Sequence, residues 1–252
     1  MFSFLNNIPQ VTKNLLILNI LTYIGAFVFS GKGIDVYAVL GTHYLNSPLF
    51  KPFQVITYMF MHSLNDFTHI LFNMLILVMF GSHLERIWGP KRYFLFYFAC
   101  GFGAFLLYNS IGMYEIFQLK QQMLQFGIDV DVVNHKIREG FVNHIVSSSE
   151  DEHAVLQRYY DLSTSTMAGA SGALFGIMAG FAVLFPNTEL MLLFPPIPIK
   201  AKYLIGAYLI FEIYNSLYAV NDHVAHLAHV GGAVVGIILV LFWRKTDRNN
   251  FW

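Results

Sequence analysis

Charge is what this chain of 252 residues has least of: only 12% of it is Asp, Glu, Lys or Arg. A soluble domain of that length carries roughly twice as much. The formal net charge is zero and no run of basic residues occurs, which removes nucleic acid as a partner. Cysteine is nearly missing: Cys100 stands alone in an apolar stretch, so neither a disulfide framework nor a cysteine metal cluster can form, and it reads as a packing residue. There is no HExxH pattern for a zinc protease and no pair of intramembrane aspartates for an aspartyl protease. No small-residue cleavage site follows the first apolar run, so that run is expected to be a retained helix rather than a signal peptide.

What fills the chain instead is apolar surface, 56% of residues with 17% aromatic. Apolar runs that are candidates to cross about 30 Å of hydrocarbon occur at Asn14–Ser30, Phe67–Leu84, Tyr93–Asn109, Ser171–Phe185, Tyr203–Val220 and His223–Trp243, the fourth of them short. The expectation is an all-α membrane protein of six transmembrane helices, one domain over 1–252, with a long extracytoplasmic loop at about 110–168 between helices 3 and 4. Six crossings put both termini on one side. Lys13, Arg86, Lys91, Arg92, Lys200, Lys202, Arg244, Lys245 and Arg248 then share a side, and basic residues in short loops stay preferentially in the cytoplasm. Both termini are therefore expected to be cytoplasmic.

The long loop carries eight acidic residues against four basic ones, a net charge of −4. Apolar residues recur at helical spacing in Ile116–Phe126 and around Val155–Tyr159, which predicts short amphipathic helices on or above the outer surface. Between them Ser147-Ser148-Ser149-Glu150-Asp151-Glu152 reads as a mobile tip.

Polar groups inside hydrocarbon-length helices need a reason. Ser171 opens the fourth run in Gly169-Ala170-Ser171-Gly172-Ala173-Leu174-Phe175-Gly176, and His229 lies in the sixth within Ala228-His229-Val230-Gly231-Gly232. From Ser171 the fourth run is about fifteen residues, or roughly 22 Å at helical rise, too short to cross alone. A helix beginning inside the membrane turns its unsatisfied N–H groups toward a polar cavity and favours developing negative charge there. Gly172, Gly176 and Gly180 make one bare face, and His229, Gly232, Ala233 and Gly236 fall on another. Small residues so spaced let two membrane helices approach closely, which is what a hydroxyl and an imidazole on different helices need to meet. Phe175, one turn after Ser171, is positioned to pack against the imidazole. Histidine is suited to take a serine proton. His69 and Asn73, at i and i+4, put an imidazole and a carboxamide on one face of the second run, where an amide beside the Ser171 N–H would complete an oxyanion hole.

These motifs, together with Met61-His62 before the second helix and Glu85-Arg86 with Gly89 after it, resemble the bacterial rhomboid intramembrane serine proteases, over about Phe53–Trp243 apart from the long loop. The resemblance implies a serine endopeptidase in the bacterial inner membrane with Ser171 as nucleophile, His229 as base and no third acidic member. It implies that His69, Asn73 and the backbone at Ala170 assist the oxyanion, that Gly169, Gly172, Phe175, Gly176, Gly232 and Gly236 pack the dyad, and that no metal or other cofactor takes part. Its substrates would be single-span membrane proteins whose helix unwinds near its outer end, reached from the lipid bilayer. Phe53-Gln54 stands where many members carry Trp-Arg.

Other readings attach to the same residues. A glycine face alone signals helix packing, and His223, His226 and His229 at three-residue spacing suggest a metal or, as a proton relay, a transporter; His223 and His226 are expected at the interface. Glu212 in the fifth run is read as a structural hydrogen-bonding residue. A catalytically inactive, client-binding relative is the remaining alternative.

Overall fold

A computed structural model describes residues 6–140, 149–191, 196–218 and 225–246. His223, Ser147, Ser148, Arg248 and the end of the fifth run lie outside these residues. Helices stand at each of the six apolar runs. Helix α1 is Gln10–Ser30; α2, Phe67–Ile76, passes through a π-helical turn, Leu77–Gly81, into α3, Ser82–Gln125. At Gly89 the backbone leaves helical geometry with φ 77° and Pro90 follows, so α3 is two helices joined at a kink. Both residues fit that break, since only glycine adopts positive φ without penalty and proline cannot supply the missing N–H.

The described residues of the 110–168 segment are mostly helical, and Val155–Tyr159 lies in a helix as its spacing predicts. Rather than ending at Asn109, α3 runs on to Gln125, so Ile116–Phe126 is not a separate short helix but its continuation. Helices α4, Val130–Glu139, and α5, Glu150–Thr164, pack beside it. Ile116, Leu119, Met123, Val133, Ile137, Leu156 and Tyr159 are buried, and this apolar set joins the three segments to the hydrophobic core of the bundle. Glu150, Asp151 and Glu152 form the first turn of α5, where Ser149 accepts from the Glu152 N–H. The acidic half of the expected mobile tip is thus a capped helix start, stabilised by negative charge at its N-terminus.

Helices α6, Ser171–Leu184, α7, Ala201–Tyr218, and α8, His226–Thr246, complete the bundle. A two-stranded antiparallel sheet, β1 Glu189–Met191 with β2 Pro198–Lys200, lies between α6 and α7 in the chain, and an isolated antiparallel bridge joins Thr42 to Met167. Gln10–Ser30, Phe67–Gln125 and His226–Thr246 are long and apolar enough to cross a membrane, and Ser171–Leu184 is a shorter apolar helix. Large apolar side chains such as Leu21, Phe27, Phe94, Leu95, Ile210, Phe211, Ile238 and Phe242 face outward. Such a surface is stable against lipid and not against water.

Helices α3, α6 and α8 meet at the centre through small residues. A Cβ at Gly176 would lie 2.5 Å from the Cys100 Cβ and 2.8 Å from the Gly232 carbonyl oxygen, and one at Gly236 would lie 2.8 Å from the Gly176 Cα. Cys100 is fully buried against α6, the packing role expected of it.

Candidate active site

The tight contact between α6 and α8 brings their two polar residues together. Ser171 Oγ lies 2.8 Å from His229 Nε2. Phe175 stacks on the imidazole with ring centroids 4.2 Å apart and planes 13° from parallel, which limits rotation of the base. On the far side Phe175 meets Tyr208 of α7 at 4.9 Å.

Ser171 is the first residue of α6, and Ala170 before it is fully buried and makes no side-chain cap. The first N–H groups of a helix lack intrahelical partners, so this end presents donors where negative charge would form. Gly169 enters the turn at φ 131°, a conformation that requires glycine, and its N–H is held by the Tyr58 carbonyl oxygen at 2.9 Å. A side chain there would fall 3.1 Å from His69 Nε2 and 3.4 Å from Ser171 Oγ. The space Gly169 leaves open is therefore lined by both groups.

His69 and Asn73 do not act as one face in the same way. While His69 borders the Gly169 space, Asn73 is buried and its Nδ2 lies 3.0 Å from His62 Nε2. Donating to His62 uses one amide hydrogen and leaves the other. His62 is completely buried, with its ring 5.1 Å from that of His69. The sequence placed His62 only within a motif, without a task.

The chain also resembles known proteins along its length. A family model described as Rhomboid domain matches residues 50–118 and 139–246. The chain belongs to the rhomboid family. A fission yeast relative, Protein pdh1 of Schizosaccharomyces pombe, is 38% identical over 95 residues. That alignment covers 34% of this chain and 41% of that protein, so the chain matches less than half of the relative's length. The family match skips 119–138, the end of α3 and most of α4. This rhomboid chain is accordingly a multi-pass membrane protein of a family that includes intramembrane serine proteases and inactive members.

Two further rhomboid positions find explicit tasks. Buried Glu85 accepts from the Val11 and Thr12 N–H groups at 2.8 and 2.7 Å and from Thr12 Oγ1 at 2.7 Å, so a side chain of α3 caps the start of α1. Arg86 beside it donates to the Asn7 carbonyl at 2.6 Å. Gln54 is buried; its Oε1 accepts from the Lys51 N–H at 3.0 Å and its Nε2 donates to the Val39 carbonyl at 3.0 Å. Phe53 is exposed.

Glu212 of α7 reaches the same centre, where the sequence reading had given it no partner. Its Oε2 lies 2.7 Å from His229 Nδ1 and 2.6 Å from His226 Nδ1, and all three residues are buried. His226 is thus not an interfacial residue but part of the core. The three ligand atoms are close enough together to suggest a metal site. Two donors on a tetrahedral zinc with bonds near 2.0 Å would stand about 3.3 Å apart, whereas these separations are those of hydrogen bonds.

Proposed function

We propose that the protein is an intramembrane serine endopeptidase that cleaves transmembrane segments of membrane proteins. The observation that carries this reading is the 2.8 Å approach of Ser171 Oγ to His229 Nε2 at the uncapped start of a helix too short to cross the bilayer. In the proposed reaction Ser171 Oγ attacks the scissile carbonyl carbon as its proton passes to His229 Nε2. The resulting oxyanion is met by the N–H groups at the head of α6, with His69 and the remaining Asn73 amide hydrogen to assist. Collapse breaks the carbon–nitrogen bond, His229 returns the proton to the leaving amine, and the acyl group stays on Ser171 as an ester. Water, losing its proton to His229, then attacks that ester; the carbon–oxygen bond to Ser171 breaks, His229 returns the proton to Ser171 Oγ, and the carboxylic acid product leaves.

The reading extends to topology. Six crossings with both termini cytoplasmic place the 110–168 lobe outside, and the inner-membrane location in a bacterium rests on the motif resemblance. The substrate's own helix must unwind for its carbonyl to reach Ser171, because helical hydrogen bonds otherwise shield it.

A serine-reactive phosphonate tests the chemistry directly. Purified protein in detergent is expected to be labelled and to cleave a fluorescent transmembrane substrate, and Ser171→Ala is expected to do neither. Parental cleavage by Ser171→Ala would overturn the reading, as would failure of the parent to react with any probe while folded.

A further inference from the structure

The hydrogen bonds that meet at Glu212 do more than satisfy a buried polar group. A neutral imidazole carries its proton on one nitrogen only, and the acceptor opposite decides which. At His229 one nitrogen, Nε2, faces Ser171 Oγ and the other, Nδ1, faces Glu212 Oε2 at 2.7 Å. A carboxylate only accepts. The proton must therefore sit on Nδ1, and the Nε2 lone pair is left pointing at the hydroxyl.

We propose that Glu212 is a positioning residue for the reaction: its carboxylate fixes the tautomer and orientation of His229 and faces the positive charge that forms when Nε2 takes the Ser171 proton. This rests on the serine-protease reading above. The arrangement makes a serine–histidine–glutamate series across α6, α8 and α7, with the acid contributed by a helix that carries neither of the other two.

His226 has a distinct part in it. Its Nδ1 lies 2.6 Å from the same Oε2, one helical turn before His229, so the carboxylate oxygen accepts from two imidazoles of α8 at once. A glutamate has three rotatable bonds, and one hydrogen bond would leave the carboxylate able to swing away. Two donors spaced three residues apart on one helix fix it relative to α8, and the fixed carboxylate in turn fixes His229. Phe175, stacked on the flat face of the ring, removes the remaining rotation. Each of these contacts comes from a different direction, as a base held to a near-attack geometry requires.

The test uses the full chain in detergent and in liposomes, with a fluorescent transmembrane substrate and the phosphonate probe. Glu212→Gln keeps the shape and removes the charge. Loss of the acid from such a series costs about 10,000-fold in turnover in the well-characterised soluble proteases, and a fall of at least about 100-fold in kcat is expected here with KM within about twofold. Glu212→Asp retains a carboxylate, shortened by one methylene, and should recover a measurable part of the lost kcat. Parental kcat in Glu212→Gln would overturn the proposal. So would equal losses in Gln and Asp that track a fall in thermal stability, since that is a structural role alone. Should Glu212→Gln fail to fold, the pair His226→Leu and His226→Gln carries the test. Leucine should lower kcat about tenfold and glutamine, which can donate, should restore part of it; two variants at the parental rate would overturn the proposal. Ser171→Ala in the same assay keeps the two readings apart: if it is inactive while Glu212→Gln is fully active, the serine chemistry stands and the role of Glu212 falls.

Discussion

Gly232 meets Gly172 backbone to backbone, so that a methyl group added to Gly232 would collide with the Gly172 carbonyl. This contact lies one residue from Ser171 on α6 and one turn from His229 on α8. It sets the distance between the two helices at the point where the hydroxyl and the imidazole meet. A backbone carbonyl cannot move aside as a flexible side chain can. Gly232→Ala should therefore separate the helices, with overpacking costing about 1–3 kcal/mol and a displacement near 1 Å at the reacting atoms costing roughly 100-fold in rate. Thermal unfolding and phosphonate labelling on one preparation measure both. Gly206→Ala on α7, where an added Cβ meets nothing within 4 Å, is the control and should change neither. Full labelling of Gly232→Ala would show that this contact does not govern the approach. Gly232→Val drives a bulkier side chain against the same backbone carbonyl and should lose folded protein.

Asn73 and His62 should behave as a unit. Removing one oxyanion donor costs about 100- to 1000-fold in turnover, and that is the expectation for Asn73→Ala. His62→Ala leaves Asn73 in place but frees its carboxamide, whose Nδ2 is now held at 3.0 Å. A comparable fall in kcat is expected. Residues in one hydrogen-bond network are not additive, so the double variant should lose little more than Asn73→Ala. Multiplicative losses would mean that His62 acts on the reaction independently of Asn73.

How much of this was legible beforehand depended on the range of the interaction. Ser171, His229, Phe175 and the glycine faces were readable because helical periodicity puts residues at i, i+3 and i+4 on one side, and small residues on two apolar helices imply that those sides meet. In the 110–168 segment the helical spacing of Ile116–Phe126 and Val155–Tyr159 was legible, but the continuity of α3 was not: nothing near Asn109 ends a helix, and α3 continues to Gln125, just before Gly127 at φ 74°. His62 and Glu212 had no local signal for their partners, eleven residues away in the first case and on another helix in the second. Glu85 is the same lesson at longer range, because its partners at Val11 and Thr12 lie more than seventy residues earlier.

Glu85 gives a prediction about folding rather than chemistry. Three hydrogen bonds from the start of α1 end on one buried carboxylate. Hydrogen bonds to a charged group contribute about 1.5–3 kcal/mol, and leaving buried donors unpaired adds to the loss. Glu85→Ala should lower the thermal midpoint and detach the amino end of α1, detectable as new proteolysis near Asn7. Glu85→Gln, which keeps one acceptor oxygen, should lie between. A midpoint unchanged in Glu85→Ala would show that α1 is held by its apolar contacts alone.

His43 makes the structure sensitive to acid outside the membrane-spanning helices. It is buried between a short helix, Val36–Leu40, and the end of α5, with Nδ1 3.0 Å from the Ser165 carbonyl oxygen and Nε2 3.2 Å from that of Ala38. Next to it Thr42 and Met167 exchange backbone hydrogen bonds at 2.8 and 2.9 Å, so the pair ties the first loop to the strand of chain that leads into Gly169 and Ser171. Burial, the larger effect, pushes the His43 imidazole below its ordinary value of 6.5 against the opposing pull of the two carbonyls. The folded chain thus holds this histidine neutral while the unfolded chain protonates it near 6.5. The unfolded state then binds more protons, and stability falls as pH drops from about 6.5 toward the lower folded value. His43→Gln cannot titrate. Thermal midpoints measured from pH 7.5 down to pH 5 should fall more steeply for the parent than for His43→Gln, with the divergence beginning near pH 6.5. Parallel curves across that range would mean that protonation of His43 does not load the contact between the first loop and the entry to α6.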